Sequence, residues 1–288
     1  MLRERVAEDI YVFTSELYLQ ATASAILTPE GSVIIDTLPF PQETREMLRF
    51  VKRRSQAPIR YLVLTHFQPD HSYGACLIDG ELVAHERCRR ILEKHGDELL
   101  EEDRVQNPEL CEVSIRLPEM VFDRGSLTLH IGQKTITLMH TPGNTSDGVS
   151  AYVKEDKVLF AGDLVMPVPF IVNGDHEVMR ESLRKIQELQ LDNIVQGHGD
   201  VLLRGEIPEA IDTSIRYLDT IEKEVWKRVE RGIPKGNLRR LSIERCHKSR
   251  IPLNGLAEEL HQANLAHLYD VVLGQTQQTL NGAAILSE

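Results

Sequence analysis

The chain has 288 residues, enough to bury a full core without disulfide support. Its formal net charge of -11 argues against a general nucleic-acid binder, because phosphate contacts require a concentrated positive surface. The four cysteines form no C-x-x-C pair, the charged N-terminus lacks the apolar run of a signal peptide, and no stretch reaches the length of a membrane span. We therefore expect a cytoplasmic protein with reduced thiols, no membrane contact and a small-molecule substrate.

Apolar and alternating runs separated by helical spacing predict a mixed α/β unit over about the first 206 residues. Pro29-Glu30-Gly31 is typical of a hairpin turn, and Gly132-Gln133 marks a second hairpin. The predicted strands lie near 9–13, 24–28, 32–36, 61–65, 81–84, 127–131, 135–140, 149–153, 157–161 and 193–196. The predicted helices lie near 41–54, 86–102 and 177–190.

The C-terminal part changes character, since residues 208–231 and 255–273 each carry amphipathic helical spacing and no strand pattern lies between them. We expect two regions, an α/β domain over 1–206 and a helical extension over 207–288. The extension would pack on the α/β domain or on a dimer partner, which makes a homodimer possible.

Four polar side chains directly follow predicted strands. Asp36 follows SVII, His66 follows YLVLT, Asp163 follows KVLFAG and His198 follows NIVQG. In layered α/β structures, residues at strand ends project into one crevice, so residues distant in sequence converge there. Convergent aspartate and histidine side chains indicate a metal site.

The most informative segment is THFQPDH, residues 65–71. Asp70 and His71 are adjacent, so both side chains can reach one cation from an irregular loop, and Pro69 favours such a turn. Imidazole and carboxylate together suit zinc, iron or manganese better than calcium or magnesium.

The pattern His66-x-Gln68-x-Asp70-His71 resembles the H-x-H-x-D-H signature of the metallo-β-lactamase superfamily. Three further segments resemble family motifs in the same order: HTPGNTSDG at 140–148 is similar to T-P-G-H-T, AGDLV to the bridging aspartate, and GHG to the final histidine. The resemblance implies a four-layer αββα sandwich with a C-terminal helical appendage.

The resemblance also implies two ligand sets. One site would be Asp70, His71, Asp163 and His198, with every family ligand type retained. The other would use His66 and Asp163 together with two amides, Gln68 and Asn144, which stand where the family has imidazoles. Because amide oxygens bind borderline metals weakly, we expect one divalent metal, zinc first, with iron or manganese as alternatives. Gln68 and Asn144 would then hydrogen-bond substrate or a metal-bound water.

Three other residues are predicted to lie beside the ligands or to meet the substrate. Asp36 resembles the buried family aspartate that braces the ligand loop through hydrogen bonds. Tyr73 would reach a substrate oxygen or pack in the core, and His140 would approach the cleft from a strand end.

The leading functional hypothesis is a metal-dependent hydrolase with one degraded site, in which a metal-activated water attacks a small ester, thioester, lactone, amide or phosphoester. Asp70 would either accept the proton of the water or only hold the metal, and the resemblance does not separate these two roles. Two alternatives remain at this point: an iron-dependent redox or dioxygenase-type protein, and a catalytically silent protein that binds a ligand.

Overall fold

The structure is a computed structural model that describes residues 1–285, with side chains described through residue 276. Residues 286–288 of the predicted C-terminal extension lie outside the described part of the chain. Two sheets face each other and helices cover both outer faces, which confirms the predicted αββα sandwich.

The first sheet contains seven strands that lie side by side in chain order. The first four strands pair antiparallel, and the remaining pairs are parallel because helices connect those strands. The strands are β1 (Leu2–Ala7), β2 (Ile10–Thr14), β3 (Thr22–Thr28), β4 (Gly31–Ile35), β5 (Ile59–Val63), β6 (Glu81–His85) and β7 (Met120–Phe122).

The second sheet has six strands, and their order also follows the chain. Pairing is antiparallel except between β11 and β12, where a helix connects the two strands. The strands are β8 (Ser126–Ile131), β9 (Lys134–His140), β10 (Val149–Val153), β11 (Val158–Phe160), β12 (Asn193–Val195) and β13 (Leu202–Leu203).

Six helices surround the sheets, and their positions follow sequence signals. Pro41 begins the first helix, where its missing N–H costs nothing, and Asp175 caps the fourth through bonds from Glu177 N and Val178 N. The helices are α1 (Pro41–Arg54), α2 (Pro69–Ser72), α3 (Glu86–Gln106), α4 (His176–Gln187), α5 (Ile207–Glu230) and α6 (Ala257–Ile285).

Three apolar layers hold the sandwich together. The inner faces of the two sheets meet around residues such as Ile26, Val33 and Ile136, all fully buried. Helices α1 and α3 cover the outer face of the first sheet, and α4, α5 and α6 cover that of the second. The C-terminal helices therefore share a core with the α/β part of the same chain.

Candidate metal centre

The predicted site residues lie on loops that follow strands of both sheets, at one edge of the sandwich. His66 comes soon after β5, Asn144 lies between β9 and β10, and Asp163 and His198 follow β11 and β12. Backbone bonds join these loops across the sheets: Val149 N donates to Thr65 O at 2.7 Å, and Thr22 N donates to Gly197 O at 2.9 Å. The sandwich thus brings residues from five chain segments to one place.

Asp36 sits beneath the ligand loop and accepts three hydrogen bonds. Its carboxylate accepts from Thr65 N at 2.7 Å, from Thr65 Oγ1 at 2.7 Å and from His71 Nδ1 at 3.1 Å. Asp36 adopts a left-handed backbone conformation with φ 58°, which aspartate tolerates better than most residues. These three bonds brace the loop that carries Thr65 and His71.

The hydrogen bonds fix which ring nitrogen of each histidine carries the proton. His71 Nδ1 donates to Asp36, and His198 Nδ1 donates to the carbonyl of Leu19 at 3.0 Å. His66 Nδ1 lies 2.9 Å from Thr65 Oγ1, whose own proton goes to Asp36, so His66 must donate. Each neutral imidazole therefore presents the lone pair of Nε2.

These Nε2 atoms converge on the carboxylates of Asp70 and Asp163. His71 Nε2 and His198 Nε2 are only 3.4 Å apart, and His198 Nε2 lies 3.1 Å from Asp70 Oδ2. Asp163 Oδ1 lies 3.4 Å from His71 Nε2 and 3.6 Å from His198 Nε2, while Asp163 Oδ2 lies 3.6 Å from His66 Nε2. All five side chains are buried or nearly so.

The donor atoms form two overlapping groups, each within the reach of one cation. One group is Asp70, His71 and His198, and the other is His66, His71 and Asp163. Asp163 Oδ1 and His66 Nε2 are buried and have no hydrogen-bond partner. Facing lone pairs and unpartnered buried oxygens are unfavourable on their own, so this donor set fits a divalent metal.

The charged groups of the centre shift one another's pKa values in opposite directions. Burial lowers the pKa of His71, but the carboxylates of Asp70 and Asp163 outweigh burial and hold it well above its usual value. Burial raises the pKa of Asp163, yet His198, His66 and His71 together hold it well below its usual value. Protons therefore neutralise the metal-free centre, and metal uptake should release them.

The two amides of the predicted weaker half-site differ in burial, since Asn144 is buried and Gln68 is only partly buried. Asn144 is 4% exposed, and its Nδ2 donates to Phe170 O at 3.1 Å. The Oδ1 oxygen of the same amide therefore points away from Phe170 O. Asn144 Oδ1 and Gln68 Oε1 are both buried without a hydrogen-bond partner. His66, Asn144 and Asp163 line one small cavity.

The structure places Tyr73 and His140 in other contacts. The Tyr73 hydroxyl donates to Asp103 on α3 at 2.6 Å, and the Tyr73 ring packs in a small apolar cluster with Leu100 and Leu110. The His140 ring stacks on His85 with centroids 3.9 Å apart. Neither side chain belongs to the two donor groups among the described residues.

Sequence reasoning missed the loop between β2 and β3. Leu19 fixes His198 through its carbonyl, and both Leu19 and Gln20 have left-handed backbones, with φ 46° and 55°. Burial and the charges of Asp70, Asp103 and Asp163 raise the pKa of Tyr18 to about 12. The loop contains no glycine or proline, so it gave no turn signal.

Comparison with known proteins decides the family. The family model described as the metallo-beta-lactamase superfamily matches residues 18–198, which hold every proposed metal ligand. The chain belongs to the metallo-β-lactamase superfamily. Membership in this hydrolase family carries with it the binding of a divalent metal, for which the histidine and aspartate groups are candidate ligands.

Relatives of this chain carry different names. A beta-lactamase-like protein 2 homolog from Caenorhabditis elegans is 28% identical over 73% of this chain and 65% of its own length. The acyl-coenzyme A thioesterase MBLAC2 from Bos taurus is 29% identical over 56% of this chain and 64% of its own length. This chain thus spans slightly less than two thirds of both relatives.

A solved structure shares the fold across nearly the whole chain. The stereoselective inverting sec-alkylsulfatase Pisa1 from Pseudomonas sp. matches with a TM-score of 0.74 at 16% identity, over 94% of this chain and 50% of its own length. That coverage is greater than the span of the family model, which ends at residue 198. None of the helices within residues 1–285 has the length and apolar character needed to cross a bilayer.

Proposed function

We propose that this superfamily member is a metal-dependent hydrolase with a single zinc ion held by Asp70, His71, Asp163 and His198. Its substrate is a small ester, thioester, lactone, amide or phosphoester. The observation that carries the proposal is the 3.4 Å separation of His71 Nε2 and His198 Nε2, whose other ring nitrogens are both committed as donors. Two lone pairs at that distance, flanked by two carboxylates, favour a cation between them.

When bound, the metal lowers the pKa of a coordinated water and polarises the bond to be cleaved. The chain's own residues prepare that chemistry. Asp36 keeps the His71 ring in place and keeps its proton on Nδ1, and Leu19 does the same for His198. The Oδ1 oxygen of Asp70 accepts the proton of the attacking water in this proposal, since Oδ2 faces His198 and His71.

The charges of the centre suit this role for Asp70. Burial raises the pKa of Asp70, but His71 and His198 outweigh burial and lower it, so the carboxylate stays ionised. Asp70 is 9% exposed, whereas His71 is fully buried. The carboxylate therefore has access to water, while the imidazole behind it does not.

Thioesters are the first substrates to test, because the bovine relative is named as an acyl-coenzyme A thioesterase. The net charge of -11 disfavours polyanionic substrates, so neutral thioesters should precede coenzyme A derivatives. Cytoplasmic location and a small-molecule substrate remain parts of the proposal.

The test compares zinc content and turnover of a thioester, ester and phosphoester panel in His198→Ala and Asp163→Ala. Both variants should lose bound zinc and at least 100-fold of the turnover found for the parent protein, because each removes one ligand. His95→Ala is the matched control, since His95 is about half exposed on α3. Full turnover in zinc-free His198→Ala would contradict the proposal.

A further inference from the structure

A cavity of about 790 Å³ lies between the loop that carries His198 and the C-terminal part of the chain. Part of its wall is formed by Gln20 and Gly199, the residues that follow Leu19 and His198 in the sequence. Helix α5 and the segment 247–254 form the rest of the wall, and none of the four proposed zinc ligands lines it. A volume of this size is typical of sites that bind small molecules.

Lys248 lines this cavity as a partly buried cation. Its Nζ donates to Ser214 Oγ at 2.9 Å and to Thr213 Oγ1 at 3.3 Å. Both hydroxyls donate their own protons to the carbonyl of Ala210, at 2.8 Å and 3.1 Å, so they can only accept from Lys248. The third N–H of the ammonium group is therefore left for another partner.

Within residues 1–276, no carboxylate comes close enough to form an ion pair with Lys248. Burial without such a partner lowers the pKa of Lys248 to about 8, so most of this lysine is still charged at pH 7. A partly buried charge with an unused donor is unfavourable on its own. A ligand carboxylate would supply the missing partner through a charge-assisted hydrogen bond.

The rest of the wall restricts the kind of anion that fits. Asp200, Glu206 and Glu209 also line the cavity, and all three are exposed, so solvent screens them. Their charges still disfavour dianions and polyanions, whereas one ammonium group matches a single negative charge.

Much of the remaining wall is apolar and suits an aliphatic chain. Ile251 is 80% exposed, and covering it with a ligand chain would remove apolar surface from water. The apolar part of the wall includes Met166, Pro167, Val201, Leu202, Ile251 and Leu253.

We propose that this cavity binds a monocarboxylic acid with an aliphatic chain, the carboxylate on Lys248 and the chain along the apolar wall. The site is separate from the zinc centre but adjoins it through the backbone. Gly199 N donates to Gln20 O at 3.0 Å, next to the Leu19 carbonyl that holds His198. Carboxylic acids are also products of ester, thioester and amide hydrolysis, so a role in sensing product rests on the proposed function, whereas the binding itself does not.

Isothermal titration calorimetry with octanoate tests the site, and octanamide, which has the same chain and no charge, is the control ligand. We expect one octanoate per chain and at least 10-fold weaker binding of octanamide. Lys248→Met should weaken octanoate binding at least 10-fold, because it removes the charged donor. Lys94→Met, at an exposed position of α3, is the matched control and should bind as the parent does.

Lys248→Met should keep the melting temperature of the parent, because Thr213 and Ser214 retain their bonds to Ala210. A second variant, Glu209→Gln, keeps the test informative if Lys248→Met folds poorly. It removes one exposed negative charge from the wall, so it should tighten octanoate binding about twofold and leave octanamide binding unchanged.

The octanoate titration is repeated after zinc has been removed with a chelator, and the affinity should stay the same. No octanoate binding by the parent, parent-like affinity in Lys248→Met or in Glu209→Gln, or loss of binding together with the zinc would each overturn the proposal. Absence of zinc from the parent would instead count against the proposed function, and it would leave the titration of this cavity unaffected.

Discussion

Asp36 is the residue on which two histidines depend. It binds His71 directly and holds His66 through the hydroxyl of Thr65. Asp36→Asn keeps the size of the side chain but replaces one acceptor oxygen by an NH₂ group, so at least one of the three hydrogen bonds that Asp36 accepts must be lost. We expect zinc affinity to fall about 10- to 100-fold, as is usual when a ligand-orienting partner is removed.

Zinc competition with a chromophoric chelator measures this change. Asp97→Asn, on α3, is the control and should keep the affinity of the parent, because Asp97 is exposed and belongs to neither donor group. Unchanged affinity in Asp36→Asn, with melting temperature also unchanged, would show that Asp36 does not position the histidines.

The candidate metal ligands of this centre could be named from the sequence. The contacts that orient them could not. The residues Asp70, His71, Asp163 and His198 were visible because motifs and strand ends mark them. The Leu19 carbonyl was not predictable, since every residue has a carbonyl and only the backbone path brings this one to His198. Tyr73 shows the converse. The sequence places its phenol next to the motif, but in the structure the Tyr73 hydroxyl donates a hydrogen bond to Asp103.

At the scale of elements, two glycines let the loop after β11 approach the loops after β5 and β12. Gly162 has φ +52°, and a Cβ there would meet Thr65 Oγ1 at 2.7 Å. A Cβ on Gly197 would overlap the carboxylate of Asp163 and lie 2.8 Å from the Gly162 carbonyl carbon. The final histidine loop can therefore reach Asp163 only with glycine at position 197.

Gly197→Ala should displace the Asp163 carboxylate and remove at least 90% of the bound zinc under conditions that saturate the parent. Far-ultraviolet circular dichroism should keep its shape, because both sheets remain paired. Gly205→Ala is the control, since a Cβ there meets nothing within 4 Å. Full zinc content in Gly197→Ala would show that the loops have more room than this packing implies.

The sequence predicted most elements because their signals are local, as for the proline at the start of α1 and the Pro29–Gly31 turn. Sheet order is a non-local property, and the sequence did not predict it; the family resemblance implied only the four-layer architecture. Three strands were not predicted. Strands β7 and β13 have three and two residues, too few to show a period, and β1 is mostly polar and exposed, so it shows no apolar alternation.

At the scale of the whole molecule, the C-terminal helices are tied to the segment that supports Asn144. Tyr217 on α5 and Asn264 on α6 are fully buried, and Asn264 Nδ2 bonds to the Tyr217 hydroxyl at 3.0 Å. His261 Nδ1 lies 3.0 Å from the same hydroxyl. This polar network joins both helices to Pro169 and Ile171.

Asn264→Leu should lower the free energy of unfolding by about 2–3 kcal/mol, because it leaves Ile171 N and other buried groups without partners. Urea unfolding of the zinc-loaded protein measures the loss. The control is Asn237→Leu at an exposed position, which should change stability by less than about 0.5 kcal/mol. An unchanged midpoint in Asn264→Leu would mean that the helices dock through apolar contacts alone.

The predicted division at residue 206 and the possible homodimer stay predictions. Helices α5 and α6 bury one face against the second sheet, so their amphipathic character has a partner within the chain. That contact accounts for the amphipathic spacing of the two helices. A second copy of the chain is not needed to explain it.

The most direct test of the central claim is the zinc content of the parent protein, purified without added metal or chelator and measured by inductively coupled plasma mass spectrometry. The account predicts about one zinc per chain, lost in His198→Ala. Iron in that place would contradict the zinc assignment and favour redox chemistry, and absence of zinc and iron would favour a ligand-binding protein. Two zinc ions per chain would contradict the claim that Gln68 and Asn144 have changed the half-site.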